Sequence, residues 1–577
     1  MKNSFILFGP LLLAGIITML INSRSGSSNS LTSQRPASAD IMECAPGAGE
    51  TFVAGEDGKF ITLLPGWGKH AYKVNTQVDS AQVYFNQGLS MYYSYHSREA
   101  TASFKEASRF DSSCAMLYWA QALSMGPSYN FGYSYKMKAE IPAIIKNMNR
   151  YVSTATPKEK DLVDAMNKRY DVSDTVDTKR KALNVAYAEA MKPLVKKYPD
   201  DLDIKALYTD AVMLLHSWDF WYNDGRPKEW TPELVQLCED ILKQDPHHPA
   251  ALHYYIHVTE ASRNPEVALP GADSLLKLFP GVAHMVHMSS HEYERIGFYA
   301  KGVDANEKAD ESMYLYDSLA KGLFKGDYHV PHYFAVDAYC ALSGGMYKKA
   351  MSKSNALRKM TEPAHDKIYL QYQYMYPSLA NVRLGKWQEI LKDTTTINPG
   401  WSFAGILDDF AKGMAYAKTG SFAPAQKHLE QLREKKKDKI LTQKFAPHTS
   451  TPYECATVAE YILQGNILFY QGKHNEAIAA IKNAMLAEDS ILYSEPKAWM
   501  LPARQYLGSF YFSLKQYKKA EKVYRDDLVW NPGNGWSLLG LHQSLQAQKK
   551  TKELSKLKTL YSNSFSHADE MPVGSVY

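Results

Sequence analysis

Six ionisable residues are spaced in a way that could serve one piece of chemistry: His253, His257 and Glu260 in the stretch H-Y-Y-I-H-V-T-E, then His284, His287 and His291 in H-M-V-H-M-S-S-H. On a helix, steps of three and four residues keep side chains on one face, so each stretch builds a polar stripe. A shift of 34 residues lays the segment from Ala283 on the segment from Pro249, carrying His253 onto His287 and His257 onto His291. Two adjacent helices are thus predicted to present imidazoles at equivalent heights, and at an interaxial distance of about 8–10 Å such rings converge. Three chemistries fit. Neutral imidazoles with a carboxylate suit one divalent transition metal, Zn, Cu, Ni or Fe, with Glu260 as a further ligand. His pairs with Arg295 suit acid–base work, or the grip of a carboxylate or phosphate, without metal. The same side chains also suit a hydrogen-bonding floor beneath a bound peptide.

The elements that must hold these residues are helix pairs. A period of 34 with small residues at its eighth and twentieth positions, a large apolar residue at the twenty-fourth and Pro near the thirty-second marks tetratricopeptide units. Gly465, Ala477, Ile481 and Ala484 keep this register, as do Gly508, Ala520, Tyr524 and Pro532, and near the N-terminus Gly88, Ala100, Phe104 and Ala107. Weaker copies centre on Ala350, Ile390 and Ala425. The expected fold is all-α, a tetratricopeptide superhelical solenoid of about 11–12 helix pairs over residues 80–560. Each repeat packs on its neighbours, so a length of 577 residues needs no division into globular domains. In solenoids of this kind the first helix of each pair lines the concave groove, and every member of the cluster falls on a groove position. The next repeat places His332 there with His329 just before it, and the preceding one ends a helix at His216, followed by Trp218 and Trp221. With Arg295, these are the candidate ligand-binding groove residues.

Outside the repeats, residues 1–40 read as a signal peptide or N-terminal anchor with a polar linker. Lys2 precedes the apolar run Phe5 to Ile21, which is short for a full membrane span, and cleavage near Ser25 fits better than at Ala37-Ser38-Ala39. Residues 41–79 read as an irregular cap with a short strand at Phe60 to Leu64, and 561–577 as a polar tail. The five cysteines form no C-x-x-C; Cys44 with Cys114 is the one disulfide worth testing, and buried thiols are expected at Cys238, Cys340 and Cys455. A net charge of +5, dispersed along the chain, carries no nucleic-acid signature. Enzyme motifs are absent: no G-x-S-x-G elbow, no phosphate loop, and His291 to Arg295 is not H-E-x-x-H.

Several longer stretches resemble one family of large bacterial tetratricopeptide proteins. Asp111 to Ala120 with Gly126 to Asn130 is similar to its D-P-x-C-A-M-x-Y-W-G…G-P-N-x-N segment. The stretches from His253, from Pro280 and from Asn531 are similar to other parts of it. Ser112 stands where the family has Pro, Ala120 where it has Gly, and Ser97 where a His is usual, with His96 beside it. The resemblance implies the fold and export, and no activity. The expected function is therefore an exported repeat scaffold, periplasmic or in the cell envelope, that binds a peptide, protein segment or ligand in its groove. Nucleic acid is not an expected partner, and membrane contact is expected only through an N-terminal anchor. The alternative is a metal-dependent enzyme or metal-handling protein of the envelope.

Overall fold

The computed structural model describes residues 53–130, 135–320 and 330–577. The apolar run Phe5 to Ile21, Cys44 and His329 lie outside these residues. Twenty-five α-helices occur among the described residues, and all but Ile368–Tyr374 group into twelve consecutive pairs, from Asp79–Tyr93 with Ser97–Phe110 to Gly535–Ala547 with Leu554–Ser564. None is long and apolar enough to cross a membrane. The chain is an all-α repeat of tetratricopeptide-like pairs.

The repeat code has a direct packing cause. A Cβ on Gly88 would stand 2.5 Å from the Phe104 ring, and one on Gly465 would stand 2.6 Å from Ile481 Cδ1. The small residue of each first helix thus admits the large residue of the second. Most pairs close through a tight turn with one residue at positive φ, which favours glycine. Gly297, Gly345, Gly385, Gly420 and Gly472 fill that place, while Lys515, Lys549 and Tyr95 take it without being glycine.

Phe60 to Leu64 joins no strand, a correction to the sequence expectation. Its backbone donors are taken by helix side chains instead: Phe60 N–H donates to Glu106 Oε2 (3.0 Å) and Leu64 N–H to Gln87 Oε1 (2.8 Å). The segment continues past the first pair. Tyr316 OH donates to the Pro65 carbonyl (2.9 Å), and Gly281 N–H to that of Gly66.

A simple solenoid touches only neighbouring repeats; here distant repeats also meet. Trp536 Nε1 donates to the Ser343 carbonyl (2.7 Å), Asn223 Nδ2 to that of Ser490 (3.0 Å), and Arg383 to Gln505 Oε1 (2.7 Å). Two large apolar clusters result, one running from Ile61 to Met288 with Tyr316, the other from Tyr299 to Phe565. The helix Ala283–Arg295, all of whose residues are buried, gives Met285 and Met288 to the first of these clusters. Cys114, Cys238, Cys340 and Cys455 are buried free thiols.

Candidate metal centre

The helix Pro249–Thr259 begins with Pro in its first turn, and His248 caps it by accepting the Ala251 N–H. All its residues are buried, as are those of Ala283–Arg295. A helix buried on every side normally carries apolar residues throughout, yet these two carry five histidines. With His332, on the helix Pro331–Ser343, six imidazoles gather, each no more than 1% exposed.

The hydrogen bonds fix where the protons sit. His253 Nδ1 donates to the Tyr93 carbonyl (2.6 Å) and His257 Nδ1 to Glu260 Oε1 (2.9 Å). His287 Nδ1 donates to Asn306 Oδ1 (2.6 Å), whose amide is oriented by its own donation to the Gly302 carbonyl. His291 Nδ1 lies 2.8 Å from Glu260 Oε2 and 2.9 Å from Glu495 Oε2. Carbonyls and ionised carboxylates only accept, so each of these Nδ1 atoms carries the proton and each Nε2 of a neutral ring is left with a bare lone pair.

Two of those lone pairs face each other, with a third imidazole beside them. His287 Nε2 and His291 Nε2 stand 2.8 Å apart, and His332 Nε2 is 3.5 Å from His291 Nε2. Bare nitrogens at such distances repel unless a cation lies between them. A proton links two nitrogens, whereas three converging nitrogens are the donor set of a metal ion. Zn–N bonds of about 2.0–2.1 Å in a tetrahedron separate their nitrogens by about 3.3–3.4 Å, close to the spacing here. His253, His257 and His284 form a second set, with His253 Nε2 and His284 Nε2 3.0 Å apart and His257 Nε2 lacking any hydrogen-bond partner.

Burial, reinforced by neighbouring imidazoles, keeps His253 and His287 well below the usual histidine pKa. Burial and the adjacent His291 hold His257 and His332 down to about 3. Protons are therefore poor occupants of these positions at neutral pH. Burial also pushes Glu292 and Glu294 up to about 8, and no oxygen of either has a hydrogen-bond partner.

A third cluster shows what ordinary hydrogen bonding looks like. Asp203 Oδ1 accepts from His70 Nε2 and from Tyr93 OH, both at 2.8 Å, with His248 Nε2 3.7 Å away. Two donors share this one oxygen while His248 Nε2 is left without a hydrogen-bond partner, and the group ties the N-terminal segment to the repeats through His70.

Sequence spacing thus brings His253, His257, Glu260, His284, His287 and His291 together, with two differences. Glu260 bridges the Nδ1 atoms of His257 and His291, which makes it an orienting acceptor of the kind that metal-binding imidazoles use, and the cluster divides into two three-histidine sets. His332, expected in the groove, completes one of them. Trp218, Trp221 and Arg295 line a separate cavity. His216 stands apart, stacked on Trp230 at 3.6 Å between ring centroids. His96 accepts the His284 N–H through Nε2 at 3.3 Å, so it orients a helix and is not free to coordinate.

Sequence reasoning missed four contributors. Asn306 and Glu495 lie outside the periodic positions, and the Tyr93 carbonyl leaves no trace in a side-chain pattern. Tyr95 did leave a signal, being a buried tyrosine where equivalent turns carry Gly or an exposed Lys; its ring centroid is 4.4 Å from that of His253 and 5.5 Å from that of His284.

No protein-family model matches the sequence, and no curated protein does. Among solved structures, the chain is similar to the human IFIT1 dimer with m7Gppp-AAAA (12% identity, 86% of this chain and 92% of that one, TM-score 0.31). It is also similar to the APC/C hetero-tetramer Cut9–Hcn1 (13%, 86% and 78%, TM-score 0.25) and to yeast Tom70 (11%, 83% and 92%, TM-score 0.26). Likeness at this level says nothing of ligand or activity, and the fold is read from the helix pairs themselves.

Proposed function

We propose that this protein holds two divalent transition-metal ions, one in each three-histidine set, and that it is a metal-dependent enzyme built inside a helical-repeat scaffold. The observation that carries this reading is the convergence of His287, His291 and His332 through Nε2 while the Nδ1 atoms of His287 and His291 are committed to oxygen acceptors. All-imidazole donors suit Zn, Cu, Ni or Fe. Three nitrogen ligands leave a coordination position open, where a metal ion activates water or polarises a carbonyl or phosphoryl oxygen. A peptide laid over the cluster is less well supported, because the imidazoles are buried and Glu495 from the 490–502 loop reaches His291. The expectation that nucleic acid is no partner gains no support from a nearby cavity that is cationic and aromatic. Export remains a proposal resting on Phe5 to Ile21 and on the motif resemblance, and cell fractionation tests it.

Elemental analysis of protein reconstituted in turn with Zn, Cu, Ni and Fe is expected to give about two ions per chain. His291→Ala and His332→Ala are expected to remove at least one, while the exposed His365→Ala retains both. Occupancy is expected to persist through about pH 6 and to fall only as the pH approaches about 3, where His257 and His332 take up protons and can no longer coordinate. Wild-type protein that binds none of the four metals would refute the reading.

A further inference from the structure

Beside the histidine cluster a cavity of about 420 Å³ opens to solvent past Asp219, Lys444 and Leu492. It shares a wall with the cluster in two places. Arg295, one helical turn beyond His291, lines the cavity and donates to the carbonyls of Glu260 (2.7 Å) and Ser262 (3.0 Å). On the other side Trp218 packs on Tyr129 at 4.4 Å between ring centroids, and Tyr129 packs on His257 at 4.9 Å. Trp218 and Tyr95, the aromatic residues with positive φ among the described residues, both rest on Tyr129. Backbone strain of this kind persists where the surroundings hold it, and it gathers at binding sites.

The charges of the cavity do not balance. Arg504 is matched bidentately by Asp489 (2.6 and 2.7 Å) and Asp219 by Lys228 (3.0 Å), while the remaining lining carboxylate, Glu488, accepts the Ala503 N–H (2.7 Å) and is pushed by burial above the usual carboxylate range. Arg263, Arg295 and Lys497 have no such match: among the described residues none makes an ion pair with a carboxylate. Arg263 donates to the Asn223 carbonyl and stacks on Trp530 at 3.8 Å, and Lys497 donates to Asn531 Oδ1. Three cations around one cavity, held only by neutral acceptors, leave it with a positive potential that an anion would relieve. Burial, with Arg295 nearby, pulls Arg263 down to about 10, as that mutual repulsion requires.

We propose that this cavity binds a small organic anion, its carboxylate or phosphate held by Arg263, Arg295 and Lys497 and its apolar body against Trp218 and Trp499. That this anion is the substrate of the adjacent centre rests on the metal reading above; its binding does not.

The test is a tryptophan-fluorescence titration of metal-loaded and of chelator-treated protein with benzoate, phenyl phosphate, inorganic phosphate and the neutral benzamide. Benzoate or phenyl phosphate is expected to bind at least about tenfold more tightly than benzamide, and the tighter of the two distinguishes carboxylate from phosphate. Arg263→Gln is expected to weaken that binding about tenfold, and Lys444→Gln, at the exposed rim, about threefold, with metal content unchanged in both. Benzamide binding as tightly as the anions would overturn the proposal, as would full affinity in both folded variants. Anion preference in a chain that binds no metal would keep the pocket and remove the metal centre; metal without anion preference would do the converse.

Discussion

Tyr95 occupies a turn position with φ of 56°, where most equivalent turns carry glycine, and it is buried where Lys515 and Lys549 are exposed. A non-glycine residue in this region costs on the order of 1–3 kcal/mol, so something must hold it there, and the contacts of its ring with His253 and His284 supply the reason. Tyr95→Gly relieves the backbone but deletes a buried ring worth roughly 3–5 kcal/mol. The expected outcome is a net loss of about 2 kcal/mol in urea unfolding, with weaker metal retention in the His253, His257 and His284 set, whereas Tyr95→Phe keeps both. Unchanged metal affinity in the glycine variant would show that the ring only fills space. At this scale the sequence discloses what is periodic. Histidines at steps of three and four are legible because a helix turns them to one side, while Glu495 and the Tyr93 carbonyl arrive from distant segments that no local spacing encodes.

The helices show why the pairing was legible and the division of the cluster was not. A small residue opposite a large one is a requirement of close approach between two helices, so Gly88 with Phe104 and Gly465 with Ile481 could be read from a 34-residue period alone. Gly88→Ala tests it. Alanine gains about 1 kcal/mol of helix propensity, but its Cβ meets three atoms of a fully buried Phe104 ring at 2.5, 2.7 and 2.9 Å. Overpacking of this kind costs about 1–3 kcal/mol, so the variant is expected to be less stable than wild type by up to about 2 kcal/mol; a gain in stability would mean that the pairs are looser than the structure shows. Equivalent heights on the helices Pro249–Thr259 and Ala283–Arg295 were likewise predicted from that period. Which imidazoles pair depends on ring rotation and on Asn306 and Glu260 as acceptors. The strand expected at Phe60 to Leu64 failed for a related reason: the sequence shows its β-favouring residues but not that glutamine and glutamate side chains would take its backbone donors.

Across the whole described chain, a fully buried helix at the edge of the first apolar cluster carries three histidines, together with Glu292 and Glu294, whose oxygens have no hydrogen-bond partner. Buried polar groups left unanswered destabilise their surroundings, so the metal-free protein should be weakest at this helix and not at its ends. Metal ions that bind only the folded centre add stability in proportion to RT ln(1 + [L]/Kd), about 4 kcal/mol at a thousandfold excess over Kd. Because repeats couple mainly to their neighbours, that stability should be felt locally. Hydrogen exchange read by mass spectrometry, before and after chelation, is therefore expected to show protection falling by up to about a thousandfold in Pro249–Thr259 and Ala283–Arg295. The pair Ser402–Lys418 and Phe422–Lys435, inside the second apolar cluster, should exchange as before. A uniform loss along the chain would mean that the repeats unfold as one cooperative block. No change at the two histidine helices would mean that no ion holds them together, and the facing imidazoles would then have to be joined by protons.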